Sequence, residues 1–159
     1  MSPNLISSPI GIFDSGVGGI SVLRAIREQM PEENVIYFGD QGHIPYGPRP
    51  MEQIRDFSGA IANFLLDHHA KIIVVACNTA SAAALKYLRE QYPDVPFVGM
   101  EPAVNPAAER TQTGRVGVLA TPATFQGHCM LRLWSDLQMG WNCSRIPVTV
   151  WCNRSNAAT

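Results

Sequence analysis

A chain of 159 residues with a formal net charge of −1 and 46% hydrophobic content can bury the core of one ordinary domain. Its basic residues are scattered, which excludes the electrostatic footprint of a nucleic-acid binder. Met1 to Ile10 carries neither a basic start nor an apolar stretch of signal-peptide length, and the run Ile72 to Ala76 is far too short to cross a bilayer, so a cytoplasmic protein with no membrane partner is expected. Four cysteines do not read as a disulfide framework: Cys77 stands alone, and Cys129, Cys143 and Cys152 crowd the last part without a C-x-x-C pair.

Along the chain, short β-rich runs alternate with helical patterns, and Gly, Pro, Asp or Asn punctuates each junction. Ile10 to Phe13 reads as a first strand, Gly18 to Gln29 as a helix, Val35 to Phe38 as a second strand and Gly39 to Pro50 as a long loop. From Met51 to His69 apolar residues recur at helical spacing, with Ile54, Phe57, Ile61, Phe64 and Leu65 on one face. Lys71 to Ala76 follows as a third strand, Thr79 to Gln91 as a helix, Val95 to Val98 as a fourth strand and Arg115 to Ala120 as a fifth. The alternation predicts an α/β fold: a mostly parallel open sheet of five strands with helices on both faces.

In such a sheet ligands bind beyond the carboxyl ends of the strands, which directs attention to the residues just after each one. Strand one is followed by Asp14, Ser15, Gly16, Val17, Gly18 and Gly19. Taken alone, this turn is better explained by helix capping than by catalysis, and its glycine spacing matches neither a phosphate loop nor a dinucleotide fingerprint. Strand two opens into Gly39-Asp40-Gln41-Gly42-His43-Ile44-Pro45-Tyr46-Gly47, too long and aromatic for a minimal connector and therefore a candidate binding loop. Strand three delivers Cys77, then Asn78 and Thr79 where a helix begins. A lone cysteine there is more often a small buried residue than a catalyst, yet a helix N-terminus offers free N–H donors that favour a thiolate. Thr121 and Thr124 follow strand five. His68 and His69 adjoin at a helix end, where neighbours do not share a face, so no metal site is expected from them.

Three motifs then carry a resemblance. Phe13-Asp14-Ser15-Gly16-Val17-Gly18-Gly19, Pro45-Tyr46-Gly47 and Ala76-Cys77-Asn78-Thr79-Ala80, in this order and spacing, resemble the amino-terminal half of the cofactor-independent aspartate/glutamate racemase family, glutamate racemase in particular. The resembling segment runs from about Ile10 to Gly127. The resemblance implies inversion of the glutamate α-carbon between two thiols, without cofactor or metal, in the supply of D-glutamate for peptidoglycan precursors. By position it makes Cys77 one of the two thiols and Asp14 its auxiliary acid. Ser15, Tyr46, Gly47, Asn78, Thr79 and Thr121 become substrate-binding residues, with glutamate as small-molecule partner and room for a homodimer.

The remaining residues depart from the family. Residues 1–127 are expected to form an incomplete racemase-type domain, and residues 128–159 an atypical tail holding all three tryptophans, Trp134, Trp141 and Trp151, without a clear strand or helix pattern toward its end. Back-translating the tail and shifting its frame by one nucleotide yields, with permitted codons, an apolar, helically spaced stretch like the family's, so the tail is expected to be an out-of-frame reading. None of Cys129, Cys143 or Cys152 stands in a counterpart of the second thiol motif, and inversion needs an acid opposite the base, so little or no racemase activity is expected. A related racemase acting on aspartate, a non-catalytic dicarboxylate- or partner-binding remnant and, more weakly, a thiol hydrolase stay open as alternatives.

Overall fold

The computed structural model describes residues 7–127, 141–146 and 149–154. Four strands, β1 (Ile10–Asp14), β2 (Val35–Gly39), β3 (Ile72–Val75) and β4 (Phe97–Gly99), form an all-parallel sheet in the order β2-β1-β3-β4. The helices α1 (Ile20–Gln29), α2 (Met51–Asp67) and α3 (Asn78–Gln91) make the crossovers between them. In register, Ile10 lies between Val35 and Ile72, and Phe13 between Phe38 and Val75.

Both faces of the sheet are covered, as a parallel sheet requires. Ile10, Ile12, Val74 and Ala76 turn to the face where α1 lays Val22, Leu23 and Ile26. Phe13, Ile73 and Val75 turn to the opposite face and join Ile54, Ile61 and Leu65 of α2 and Ala80, Ala84 and Leu88 of α3 in the larger core. Gly11 is needed on that face, because a Cβ there would stand 3.1 Å from both Ala70 Cβ and Leu65 Cδ1. Ser58, fully buried in α2, has a hydroxyl without a hydrogen-bond partner among the described residues.

The fifth strand departs from expectation. β5 (Arg115–Leu119) forms as read, after the short helix α4 (Val104–Arg110) and before α5 (Pro122–Gln126), but it does not extend the parallel sheet. It pairs antiparallel with β7 (Thr149–Arg154), which also pairs antiparallel with β6 (Trp141–Ile146), in a second sheet ordered β5-β7-β6. The end of the chain therefore holds two strands where no pattern was read. Ladder length accounts for both differences: β4 pairs over only three residues, whereas β7 offers β5 five, and Thr149-Val150-Trp151 are β-branched and aromatic residues suited to a strand. Cys129 and Trp134 lie outside the described residues.

Candidate active site

Chain order sends β2 to one side of β1 and β3 to the other, so the β1/β3 junction is the topological switch point, where a parallel sheet opens a crevice at its carboxyl edge. Asp14 ends β1 and Cys77 follows β3 at this point. Both border a cleft of about 620 Å³, a size suited to small molecules. One wall is formed by Asp14, Gly18, Ser21 and Val22, the floor by Ala76 to Thr79, and the far wall by Met100, Pro102 to Val104, Ala107, Val116 to Ala120, Thr121 and Thr124.

Cys77 is the N-cap of α3. Its backbone is extended, its Sγ accepts from Ala80 N at 3.3 Å, and it is 6% exposed, so the sulfur sits among the unpaired donors of the helix N-terminus at the cleft floor. Ser15 Oγ and Cys77 Sγ share a second hydrogen bond at 3.3 Å. The carboxylate of Asp14, 5% exposed, is held by the glycine turn: Oδ2 accepts from Gly16 N at 3.2 Å and Gly19 N at 3.0 Å. Gly19 must lack a side chain for this closure, since a Cβ there would stand 2.7 Å from Asp14 Cβ and 3.0 Å from Ala76 Cβ. Asp14 thus closes the turn that leads into α1, whose N-cap is Gly19 with no side-chain cap.

Across the floor three threonine hydroxyls form a closed set. Thr79 Oγ1 lies 3.0 Å from Thr121 Oγ1 and 3.3 Å from Thr124 Oγ1, and the latter two are 2.9 Å apart. Thr121 caps α5 by accepting from Thr124 N at 3.3 Å. Asn78 is exposed at the first position of α3. Among the described residues Asp14 is the single charged side chain on the cleft wall, the rest of its polarity coming from hydroxyls, the Asn78 amide and backbone. Such a wall offers neutral donors suited to carboxylates and one negative group suited to an ammonium.

Of the residues singled out from sequence, Asp14, Cys77, Asn78, Thr79 and Thr121 line the cleft, while Ser15 and Gly47 stand outside its wall in contact with its members and Tyr46 lies outside it in the core. Tyr46 is buried in the same core cluster as Cys77, and its hydroxyl donates to Asp40 Oδ2 at 2.6 Å. Gly47 packs on Thr121: a Cβ there would stand 2.9 Å from Thr121 Cβ, and the Gly47 carbonyl accepts from Ala123 N at 3.3 Å. His43 is a loop residue, stacked on Phe57 with ring centroids 4.0 Å apart. His68 Nδ1 is turned to its own helix, 2.8 Å from Phe64 O. Sequence reasoning missed Tyr37, whose hydroxyl donates to Gly16 O at 3.4 Å. Burial, then the negative charges of Asp14 and of Cys77, raise its pKa above the ordinary 10.0. It also missed Met100, Pro102 to Val104 and Ala107 of the far wall, for which no local motif exists.

Fold and site together define an open α/β protein with a hydroxyl-ringed thiol and a carboxylate at the switch point of its parallel sheet. The chain belongs to the Asp/Glu/Hydantoin racemase family, which matches residues 10–148. It is 53% identical over 131 residues to the glutamate racemase of Roseiflexus sp. (strain RS-1), covering 80% of this chain and 48% of that protein. With the glutamate racemase of Pseudomonas paraeruginosa (strain DSM 24068 / PA7) it shares 57% identity over 120 residues, 76% of this chain and 45% of that one. Among solved structures, Escherichia coli glutamate racemase in complex with L-glutamate and the activator UDP-MurNAc-ala superposes with a TM-score of 0.73 at 40% identity, over 81% of this chain and 49% of that one. The chain spans about half the length of the curated relatives it matches.

Proposed function

We propose that this site works on the α-carbon of glutamate, with Cys77 as one of the two acid/base thiols of a cofactor-independent glutamate racemase. The observation that carries the reading is the placement of the Cys77 sulfur, bonded to Ala80 N and Ser15 Oγ beside Asp14 on the cleft floor. A thiolate there takes the α-proton, and the electron pair left behind delocalises into the substrate carboxylate, whose developing charge is met by neutral donors fixed in advance: the hydroxyls of Thr79 and Thr121 and the Asn78 amide. Asp14 complements the ammonium and keeps the glycine turn closed. Ser15, Tyr46 and Gly47 act from behind the wall, on Cys77 and Thr121. Relatives whose names state glutamate racemase, and a neighbour solved with L-glutamate, support glutamate over aspartate.

Among the described residues no second thiol lines the cleft. The proposal is therefore that this chain supplies one face of the reaction: proton removal and return on the side of Cys77, with little or no inversion. The tail after Gly127 is proposed to be an out-of-frame reading, which the nucleotide sequence of the gene tests directly through a family-like continuation in the shifted frame. Among the described residues no helix is long and apolar enough to cross a membrane, and a cytoplasmic place in peptidoglycan precursor supply fits the reading.

The decisive measurement is exchange of the glutamate α-proton for deuterium in heavy water, with the D- and L-enantiomers followed separately. Exchange of one enantiomer without inversion is expected, falling by about 10²-fold or more in Cys77→Ser. Full inversion would overturn the one-sided reading. That Cys77 is the one thiol on the cleft among the described residues also favours a second reading, a dicarboxylate-binding remnant, which would bind glutamate without exchange at either enantiomer.

A further inference from the structure

The loop between β2 and α2 is held by a polar clamp that the proposed chemistry does not use. Asp40, 7% exposed, receives the Tyr46 hydroxyl at 2.6 Å, and the His43 ring nitrogen Nδ1 stands 2.8 and 2.9 Å from its two oxygens. Asp40 is itself anchored, its N–H donating to Asp14 O at 2.9 Å. At the other end Arg49 Nε donates to His43 O at 2.9 Å and Pro45 O at 3.2 Å, and its guanidinium lies 5.2 Å from the Phe57 ring on which His43 stacks. Between these anchors sit the two residues that reach the site: Tyr46, packed in the cluster that holds Cys77, and Gly47, packed on Thr121.

We infer that Asp40 is a positioning residue that acts through Tyr46: its carboxylate fixes the Tyr46 ring in the buried cluster that holds Cys77 and seats Gly47 on Thr121, with His43 and Arg49 holding the loop backbone. The inference deepens the racemase reading and rests on it for the role of Cys77. A buried carboxylate without partners is costly, so the three groups that face Asp40 and the loop carbonyls make one arrangement of the loop far better than others. Tyr46 responds in kind: burial, then the bond to Asp40, holds its phenol far above the ordinary pKa of 10.0, so it stays a donor across the neutral and alkaline range.

The test reads alkylation of Cys77 by iodoacetamide in the full chain, by peptide mass spectrometry, with and without glutamate. In ligand-free protein, Asp40→Ala and Tyr46→Phe are each expected to speed Cys77 alkylation about tenfold, the loss of one buried hydrogen bond. The double variant should go no faster than Asp40→Ala, because one residue works through the other. Asp40→Asn keeps an acceptor for the Tyr46 hydroxyl and should restore the wild-type rate to within about twofold. Ile26→Val, which weakens the core on the opposite face of the sheet, should leave the rate unchanged. An unchanged rate in Asp40→Ala, additive effects, or an equal rise in Ile26→Val would overturn the inference. If circular dichroism shows that Asp40→Ala does not fold, Tyr46→Phe and Arg49→Lys carry the same comparison. If glutamate fails to protect wild-type Cys77, the racemase reading falls, while the ligand-free rates still decide the role of Asp40.

Discussion

β1 and β5 are both short, Gly-containing, apolar strands, yet they hold very different positions. β1 lies inside the parallel sheet between β2 and β3, with all five of its residues buried. β5 is the edge of the antiparallel sheet, with alternate residues exposed and Leu119 82% exposed. The half of the site carried by β1 and β3 therefore rests on a core packed from both faces, and the half carried by β5 rests on a ladder with one side open. The cleft is asymmetric in stiffness: Asp14 and Cys77 are fixed by the core, whereas the far wall depends on how β5 is paired.

Three changes would break or sharpen that contrast. The largest concerns the core: Ile54 is fully buried against the sheet, and Ile54→Ala is expected to cost about 2–5 kcal/mol, read as a lower denaturant midpoint, with Asp14 and Cys77 losing their order only in the global transition. Should Cys77 become reactive before global unfolding, the site would not rest on the core as argued. A smaller, local effect is expected from Val150→Pro. Val150 is paired with Val118 on one side and Arg145 on the other, in the central strand of its sheet, where proline breaks the ladder. Amide exchange in β5 should then accelerate by about 1–3 kcal/mol of opening free energy while β1 and β3 stay protected. Equal acceleration in both sheets would show that they open as one unit.

The smallest effect is the pH dependence of stability. Tyr46 and, more weakly, Tyr37 have raised pKa values, so the folded state binds protons more tightly than the unfolded state above the ordinary value of 10.0. Stability contributed by these phenols is full below that pH and is lost as pH rises through and beyond it. Denaturant titrations at rising alkaline pH should show a decline from about pH 10, shallower in Tyr46→Phe. A decline just as steep in the variant would mean that the loop phenol is not its source.

Much of this was legible in the residues. Short β-rich runs and helical patterns located β1 to β3 and the three long helices, and the rule that ligands sit beyond parallel strand ends picked out Asp14 and Cys77 before any contact was known. The strand Arg115 to Leu119 was also legible as a strand. Its partner was not, because a five-residue apolar run offers the same ladder of donors and acceptors to a parallel or an antiparallel neighbour. Tyr46 illustrates a different limit: its burial and its bond to Asp40 depend on the path of the eleven residues between β2 and α2, and periodicity carries no information about that path.

The sequence by itself determined the alternation of strands and helices, the placing of a thiol before a helix and of an acid before a glycine turn, because these follow from side-chain period, capping chemistry and the conformational needs of short turns. Only the tertiary structure decided that Ser15 reaches Cys77, that Thr79, Thr121 and Thr124 close into one set of hydroxyls, and that Asp40 gathers Tyr46 and His43. Ser15 with Cys77, and Thr79 with Thr121 and Thr124, join residues far apart in the chain, while Asp40 meets His43 and Tyr46 only through the path of one loop, and hydrogen bonds of this kind exist only once packing has fixed both partners to within a few tenths of an ångström.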